Sequence, residues 1–253
     1  MTRTWGVIPA AGLGTRIQPL AFSKELLPVG IRQDSQGAER PRAVSEYLVD
    51  RMLLAGVTRI CFVVAPSKND ILSYFGGQIG EAAICYAVQQ NPAGLCDALF
   101  AALPFIGEQD EVLIGLPDTI WFPETGFQAL PAGEFSFLLF PSDRPELFDA
   151  VVTDAEDNVV EVQVKQEQAT SNWIWGAFKM PARDLAALHD LWLERQRQDQ
   201  YIGTLVNEYI RRGHRVRAVK AGERYVDAGT PHGFRNALNI LASPGSHVFT
   251  KVA

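Results

Sequence analysis

Residues 6–30 read GVIPAAGLGTRIQPLAFSKELLPVG, and the class of fold follows from them. A short apolar run leads directly into Gly12 and Gly14, and the basic residues Arg16 and Lys24 follow. Glycines let backbone N–H groups come close to an anion, as they do in loops that bind phosphate. The stretch therefore predicts a buried strand that ends in a phosphate-binding loop.

Two common phosphate loops do not match this stretch. A dinucleotide fingerprint needs a third glycine where this chain has Ile17, which argues against a nicotinamide-dependent oxidoreductase. A Walker A loop needs Gly-Lys-Ser/Thr, which is absent. A simple glycine turn explains Gly12 and Gly14 but not the nearby Thr15 and Arg16.

Strand-length apolar runs alternate with helical patterns through the first half of the chain. Strands are predicted at 5–10, 59–65, 84–89 and 111–117, and helices at 43–55, 68–75 and 94–103. This alternation predicts an α/β fold with a Rossmann-like, mainly parallel sheet flanked by helices.

The second half adds a small antiparallel element before helices return. Two strands are predicted within 148–165, further strands at 172–180 and 215–221, and helices at 182–196, 200–212 and 231–241. The polar stretch 31–40 is predicted to be a long surface loop.

Composition limits the classes of function. The 253 residues are 47% hydrophobic, typical of one large globular domain, and the net charge of −6 argues against broad binding to nucleic acid or anionic membranes. Cys61, Cys85 and Cys96 show no C-x-x-C spacing, and neither a signal peptide nor a bilayer-spanning run is evident. We therefore expect core-filling cysteines and a cytoplasmic protein.

The segments AAGLGTR, PL and SKELLPV in this stretch resemble the signature of the sugar nucleotidyltransferases, the family of glucose-1-phosphate thymidylyltransferase and uridylyltransferase. The resemblance implies one domain over 1–253, with a nucleotide-binding half at about 1–130 and a sugar-binding half at about 131–253. It also implies that Arg16 and Lys24 contact the β- and γ-phosphates. The implied nucleotide-binding residues of the loop are Ala11, Gly12, Gly14, Thr15 and Glu25.

A second matching segment is VQQNPAGLCDAL at 88–99. It resembles the part of the family in which a glutamine and a glycine contact the base, and these map to Gln89 and Gly94. Taken alone, the segment is more typical of a loop that caps the predicted helix at 94–103.

Two carboxylates complete the nucleotide side. Asp118 follows an apolar strand, at the end where open α/β sheets bind ligands, although a helix N-cap would also explain it. Asp227 lies in VDAGTP at 226–231, which resembles the family's second metal-binding segment. The resemblance implies that both aspartates bind Mg²⁺, which prefers oxygen ligands.

The acceptor side matches less closely. Lys165 takes the place of the lysine that contacts the sugar phosphate, but the glutamate before it is Val164 here, and an exposed strand lysine would look the same. The resemblance assigns sugar contacts to Trp175, Gly176 and Arg197. Because valine accepts no hydrogen bond, we expect unmodified glucose 1-phosphate not to be the best acceptor.

The resemblance implies two small-molecule partners, a nucleoside triphosphate (UTP or dTTP favoured) and a sugar 1-phosphate, with no nucleic acid or membrane partner and a possible homo-oligomer. The alternative is a non-catalytic regulatory homologue that binds nucleotide-sugars, which the changes at Val164 and Gln166 would suit.

Overall fold

The computed structural model describes residues 3–34 and 36–242. Its strands are β1 Thr4–Pro9, β2 Pro28–Gln33, β3 Glu39–Ala43, β4 Arg59–Val64, β5 Gln78–Ile79, β6 Ala82–Val88, β7 Glu111–Gly115, β8 Thr119–Phe122, β9 Ser136–Pro141, β10 Asp149–Thr153, β11 Val159–Val164, β12 Trp173–Pro181, β13 Arg217–Val219 and β14 Arg224–Asp227. Its helices are α1 Val44–Leu54, α2 Asn69–Phe75, α3 Leu95–Phe100, α4 Ala182–Glu194, α5 Ile202–Arg211 and α6 Pro231–Leu241.

The centre of the main sheet is parallel, as predicted. Strand β1 lies between β4 and β7 and is parallel to both, and β6 extends the parallel part beyond β4. Val7 and Ile8 of β1 are fully buried and belong to two different hydrophobic clusters. Neighbouring residues of a strand point to opposite faces, so one apolar cluster covers each face of the sheet.

The antiparallel part is continuous with this sheet. Strand β12 pairs antiparallel with β7, and the order along the sheet is β11-β10-β12-β7-β1-β4-β6-β5. Strand β9, which the sequence patterns missed, pairs antiparallel with β12 and parallel with β13. The antiparallel strands of the second half are thereby joined directly to the edge of the parallel core.

The prediction of a long loop at 31–40 was wrong. Strands β2 and β3 form a two-stranded antiparallel ribbon, and only residues 34–38 connect them. Most side chains of the ribbon are exposed, so its sequence lacks the apolar alternation by which a half-buried strand is recognised.

The other predicted elements agree with the structure to within a few residues. Helices α1 and α2 are followed by Gly56 and Gly76, whose φ angles of 80° and 62° favour glycine. Cys61 and Cys96 are buried and Cys85 is half-buried, all three as free thiols. Within the described ranges, no helix has the length and apolarity needed to cross a bilayer. Residues 243–253 lie outside the described part.

Candidate active site

The glycine loop follows β1 at the carboxyl end of the parallel strands, and we call residues 10–25 the phosphate loop. Gly14 has a φ of 67°, and a Cβ added there would lie 2.9 Å from Cδ of Lys24, so glycine lets the lysine pass beneath the turn. A Cβ added to Gly12 would meet nothing within 4 Å. Ala11 is buried, whereas Thr15 is exposed. Lys24 and the buried Ala11 therefore close one face of the loop, and its other face, at Gly12 and Thr15, is open.

Two cations of the phosphate loop pair with the two predicted metal carboxylates. Lys24 Nζ donates to Oδ2 of Asp118, and Arg16 Nη1 donates to Oδ2 of Asp227 at 2.9 Å. The lysine side chain is 14% exposed and the arginine side chain 59%, so one ion pair lies deep and the other at the mouth. The structure brings together all four residues.

A small strand pair sets the position of the carboxylates. Strand β14 pairs antiparallel with β8, and this places Asp227 opposite Thr119, the residue after Asp118. The Ala228 N–H donates to the Asp118 carbonyl at 2.8 Å, which ties the two segments together beyond the ladder. Since a strand and not a helix follows Asp118, the N-cap interpretation of this residue was wrong.

Gly229 lies where the two carboxylates converge. Its N–H donates to Oδ1 of Asp227 at 2.8 Å. A Cβ added at this glycine would lie under 3.0 Å from Oδ2 of Asp118 and 2.9 Å from Oδ1 of Asp227. Oxygens from the turn before β8 and from the end of β14 therefore border the same small space, which only a residue without a side chain leaves open.

These carboxylate oxygens fit a hard divalent cation. Burial by itself raises the pKa of Asp118, but the Lys24 ammonium lowers it, and the net pKa lies below its usual value. The group is thus ionised at neutral pH and acts only as an acceptor. Within residues 3–34 and 36–242 no group of three or more metal-binding side chains occurs, so further oxygen ligands for such a cation would have to come from a substrate or water.

The side chain of Glu25 points away from the open face of the loop. It is fully buried, and both carboxylate oxygens accept hydrogen bonds from Lys68 Nζ at 2.8 Å. The same ammonium donates to the Ala10 carbonyl at 2.7 Å. The sequence interpretation missed Lys68, because nothing about a lysine at the start of a predicted helix marks it as part of a site.

Gln89 and Gly94 lie together, as expected from their shared segment. Gln89 Nε2 donates to the Gly94 carbonyl at 3.2 Å and to Oδ2 of Asp97 at 2.6 Å. Gly94 has a φ of 101° and precedes the first residue of α3, so it also begins that helix. A Cβ on Gly94 would lie 2.6 Å from the Gln200 carbonyl oxygen, so this segment packs closely on the chain that enters α5.

Lys165 lies just after β11 with a φ of 48°. Its ammonium is 4.6 Å from the centre of the Tyr201 ring and 3.5 Å from the Tyr201 hydroxyl oxygen. Arg197 follows α4, and its guanidinium is 5.3 Å from the ring of Trp192. Among the described contacts, none joins Arg197 to Lys165.

Trp175 and Gly176 lie at an irregularity of β12. The indole Nε1 of Trp175 donates to Oδ2 of Asp149 at 3.4 Å. A Cβ on Gly176 would lie 2.6 Å from the rings of Phe140 and Tyr225, so this glycine lets two aromatic rings pack on the strand.

Tyr225 lies near Asp149 as well as the two converging carboxylates. Burial raises the pKa of its hydroxyl, and the charges of Asp227, Asp118 and Asp149 raise it further, so all three carboxylates lie near this ring. Oδ1 of Asp149 is buried and has no hydrogen-bond partner within the described ranges.

A parallel sheet with a glycine loop, two loop cations and two convergent carboxylates at its carboxyl end has the features of a protein that binds a polyphosphate with a divalent cation. The chain belongs to the nucleotidyl transferase family, whose model matches residues 5–243.

Curated relatives and solved structures agree with this family. The chain is 26% identical over 247 residues to a glucose-1-phosphate thymidylyltransferase of Neisseria meningitidis, covering 93% of this chain and 82% of the relative. It is 24% identical over 231 residues to the UTP–glucose-1-phosphate uridylyltransferase AglF of Haloferax volcanii, covering 89% and 91%.

Two solved structures share the fold. A Bacillus anthracis protein described as a glucose-1-phosphate thymidylyltransferase in complex with sucrose superposes with a TM-score of 0.81 at 22% identity, covering 98% of both chains. A UTP-bound UGPase from Acinetobacter baumannii gives a TM-score of 0.77 at 19% identity, covering 97% of this chain and 95% of the other.

Proposed function

We propose that this protein transfers the nucleotidyl group of a nucleoside triphosphate to a sugar 1-phosphate, giving a nucleoside diphosphate sugar and pyrophosphate. The observation that carries the proposal is the convergence of the Lys24–Asp118 and Arg16–Asp227 pairs beside Gly229. The names of the relatives from Neisseria and Haloferax support the choice of substrates.

The four charged groups form a preorganised site for a triphosphate. Arg16 and Lys24 would exchange their carboxylate partners for the β- and γ-phosphates, where they stabilise the leaving pyrophosphate. Asp118 and Asp227, freed from these cations, would hold Mg²⁺ together with phosphate oxygens. When bound, this ion would supply positive charge beside the reacting phosphate.

The backbone around Gly12 and Gly14 would receive the phosphates, since no side chain blocks the open face of the loop. Ala11 and Thr15 flank this face. Glu25 supports the loop from below through Lys68.

On the base side, Gln89 and Gly94 would contact a pyrimidine, which favours UTP or dTTP.

The acceptor needs positioning more than chemical activation. Its phosphate has a second pKa of about 6, so it is largely ionised at neutral pH and no general base is required. Lys165 would hold this phosphate in line with the bond that breaks. Trp175 and Gly176 would line the sugar pocket, and Arg197 would approach the acceptor if the turn after α4 moves on binding.

Val164 offers no hydrogen-bond acceptor of its own next to Lys165, and this bears on which sugars are accepted. We infer that unmodified glucose 1-phosphate is not the best acceptor and that a deoxy, amino or otherwise modified sugar reacts with a higher kcat/KM. A panel of sugar 1-phosphates tests this inference, and it fails if glucose 1-phosphate outperforms every modified sugar.

The wider setting follows from the same activity. Both substrates are small molecules, so the protein needs neither a nucleic acid nor a membrane partner, and we place it in the cytoplasm. All the residues assigned to the site come from one chain, so the site neither requires nor excludes a homo-oligomer.

Pyrophosphate release is the direct test. The protein is incubated with Mg²⁺, each nucleoside triphosphate and a mixture of sugar 1-phosphates, and both pyrophosphate and the nucleotide-sugar are measured. We expect both products only when the triphosphate and the sugar phosphate are present together. Binding of a nucleotide-sugar without any pyrophosphate release would instead identify a non-catalytic regulatory homologue.

A further inference from the structure

One buried ammonium touches both ends of the phosphate loop. Lys68 lies just before α2 and is outside the loop in sequence. Its Nζ is 2.7 Å from the Ala10 carbonyl oxygen, at the first residue of the loop, and 2.8 Å from the carboxylate oxygens of Glu25, at the last. The lysine side chain is 10% exposed and the glutamate side chain 1%, so water does not replace these contacts.

Four charges of alternating sign run from this ammonium to the carboxylates of the site. Lys68 pairs with Glu25, Lys24 is the next residue along the chain, and Lys24 pairs with Asp118. The negative charges of both Asp118 and Glu25 raise the pKa of Lys24 against the opposing effect of burial. Lys24 therefore lies between two carboxylates, and Lys68 neutralises one of them.

The segment around Lys68 also holds the loop on the other side of Lys24. The carboxylate of Asp70 accepts hydrogen bonds from the Ser23 N–H and from the Ser23 hydroxyl, each at 2.7 Å. Residues 68–70 thus anchor the residues before and after Lys24.

We propose that Lys68 is a positioning residue for nucleotidyl transfer: it joins the two ends of the phosphate loop and prevents the Glu25 carboxylate from drawing Lys24 away from the triphosphate. The inference rests on the proposed function. Lys68 itself touches no reacting atom.

The charges predict a specific pattern of variants. Lys68→Met leaves the Glu25 carboxylate buried and unpaired, so this carboxylate attracts Lys24, and we expect the Kd for the Mg²⁺–UTP complex to rise about tenfold or more. Lys68→Met with Glu25→Gln removes both charges, and we expect it to bind the triphosphate more tightly than Lys68→Met alone. A merely structural role predicts the opposite, because the double variant loses more native contacts.

The matched control is Lys179→Met. Lys179 pairs with Glu111 at 2.9 Å with similar burial, at the opposite end of β7 from Asp118. Binding is measured by calorimetry, KM and kcat by pyrophosphate release, and folding by urea titration. If Lys68→Met does not fold, Lys68→Gln replaces it, since its amide still donates to the Ala10 carbonyl but carries no charge.

The outcomes separate the two proposals. Unchanged triphosphate binding in the Lys68 variant, or a double variant that binds no better than the single, overturns the positioning role. Absence of pyrophosphate release by the unaltered protein with every sugar phosphate overturns the proposed function, while calorimetry with Mg²⁺–UTP still decides the role of Lys68.

Discussion

Asp149 lies directly opposite Val164 in the antiparallel pair of β10 and β11. Opposite residues of such a pair point to the same face of the sheet. Val164 itself carries no carboxylate, but this register brings the Asp149 carboxylate beside it from the neighbouring strand, so a hydrogen-bond acceptor is present in a different place from that of a glutamate at position 164. Asp149 also accepts a hydrogen bond from Trp175, which we propose lines the sugar pocket.

We predict that Asp149→Ala raises KM for the sugar 1-phosphate about tenfold and leaves KM for the triphosphate unchanged. Loss of a hydrogen bond to a charged group costs about 1.5–3 kcal/mol, and tenfold corresponds to about 1.4 kcal/mol. Initial rates at varied concentrations of each substrate measure both constants. Asp143→Asn, an exposed carboxylate nearby, is the control, and equal KM values in all three proteins would exclude the role.

Replacing either of the two carboxylates proposed to bind Mg²⁺ should strongly reduce turnover without unfolding the protein. Asp118→Asn and Asp227→Asn keep the size of the side chain but remove its charge, so pyrophosphate release should fall about 100-fold or more. Near-UV circular dichroism checks the fold, and a Mg²⁺ titration should show that the remaining activity needs more metal. Near-normal turnover in either variant contradicts the two-carboxylate site.

Gly229→Ala tests whether the same two carboxylates must converge. It adds a methyl group between them and leaves both of their charges unchanged. The added methyl would displace Asp118 and Asp227, and a shift of about 1 Å at a reacting centre can cost about 100-fold in rate. Gly77→Ala is the matched control, since a Cβ there meets nothing within 4 Å. Equal pyrophosphate release by both variants would show that the two carboxylates need not converge.

The base should be a pyrimidine. The resemblance implies that Gln89 and the Gly94 backbone contact the edge of a pyrimidine, and in it a glutamate after the loop lysine favours UTP slightly over dTTP. Competition at equal concentrations of four triphosphates, followed by separation of the nucleotide-sugars, decides this. A clear preference for ATP or GTP would overturn the assignment.

Asp110 should make stability depend on pH in the acid range. Burial raises the pKa of Asp110, but the N–H groups of Arg3, Gly107 and Trp5 donate to it and bring the net pKa below its usual value. A lowered pKa stabilises the fold above the pKa of the unfolded chain, and this contribution is lost as pH falls through the folded pKa.

We therefore expect Asp110→Asn to lower the free energy of unfolding by about 1–3 kcal/mol at pH 7 and by much less near pH 3. Urea titrations at both pH values measure the difference, with Glu108→Gln, an exposed neighbour, as the control. If the difference in the free energy of unfolding were the same at both pH values, the loss of stability would come from the changed shape of the side chain and not from its charge.

Sequence patterns predicted the elements whose structure depends on residues that are neighbours along the chain. The alternation of apolar runs predicted the parallel core, and the sequence around Gly12, Arg16 and Lys24 predicted a glycine loop after β1 that carries two cations, whose contact with phosphate stays a prediction. The exposed ribbon of β2 and β3 and the buried strand β9 were missed, because each lacks the alternation by which a strand with one buried face is recognised.

The sequence by itself determined which side chains carry charge and at which strand ends they lie, because strand length, glycine placement and charge are local properties of the chain. Only the tertiary structure decided which of these groups meet. Lys24 contacts a carboxylate 94 residues away and Arg16 one 211 residues away, and Lys68 joins the ends of a loop to which it does not belong. Such contacts depend on strand order, register and burial across the whole sheet, and no spacing within a single segment encodes them.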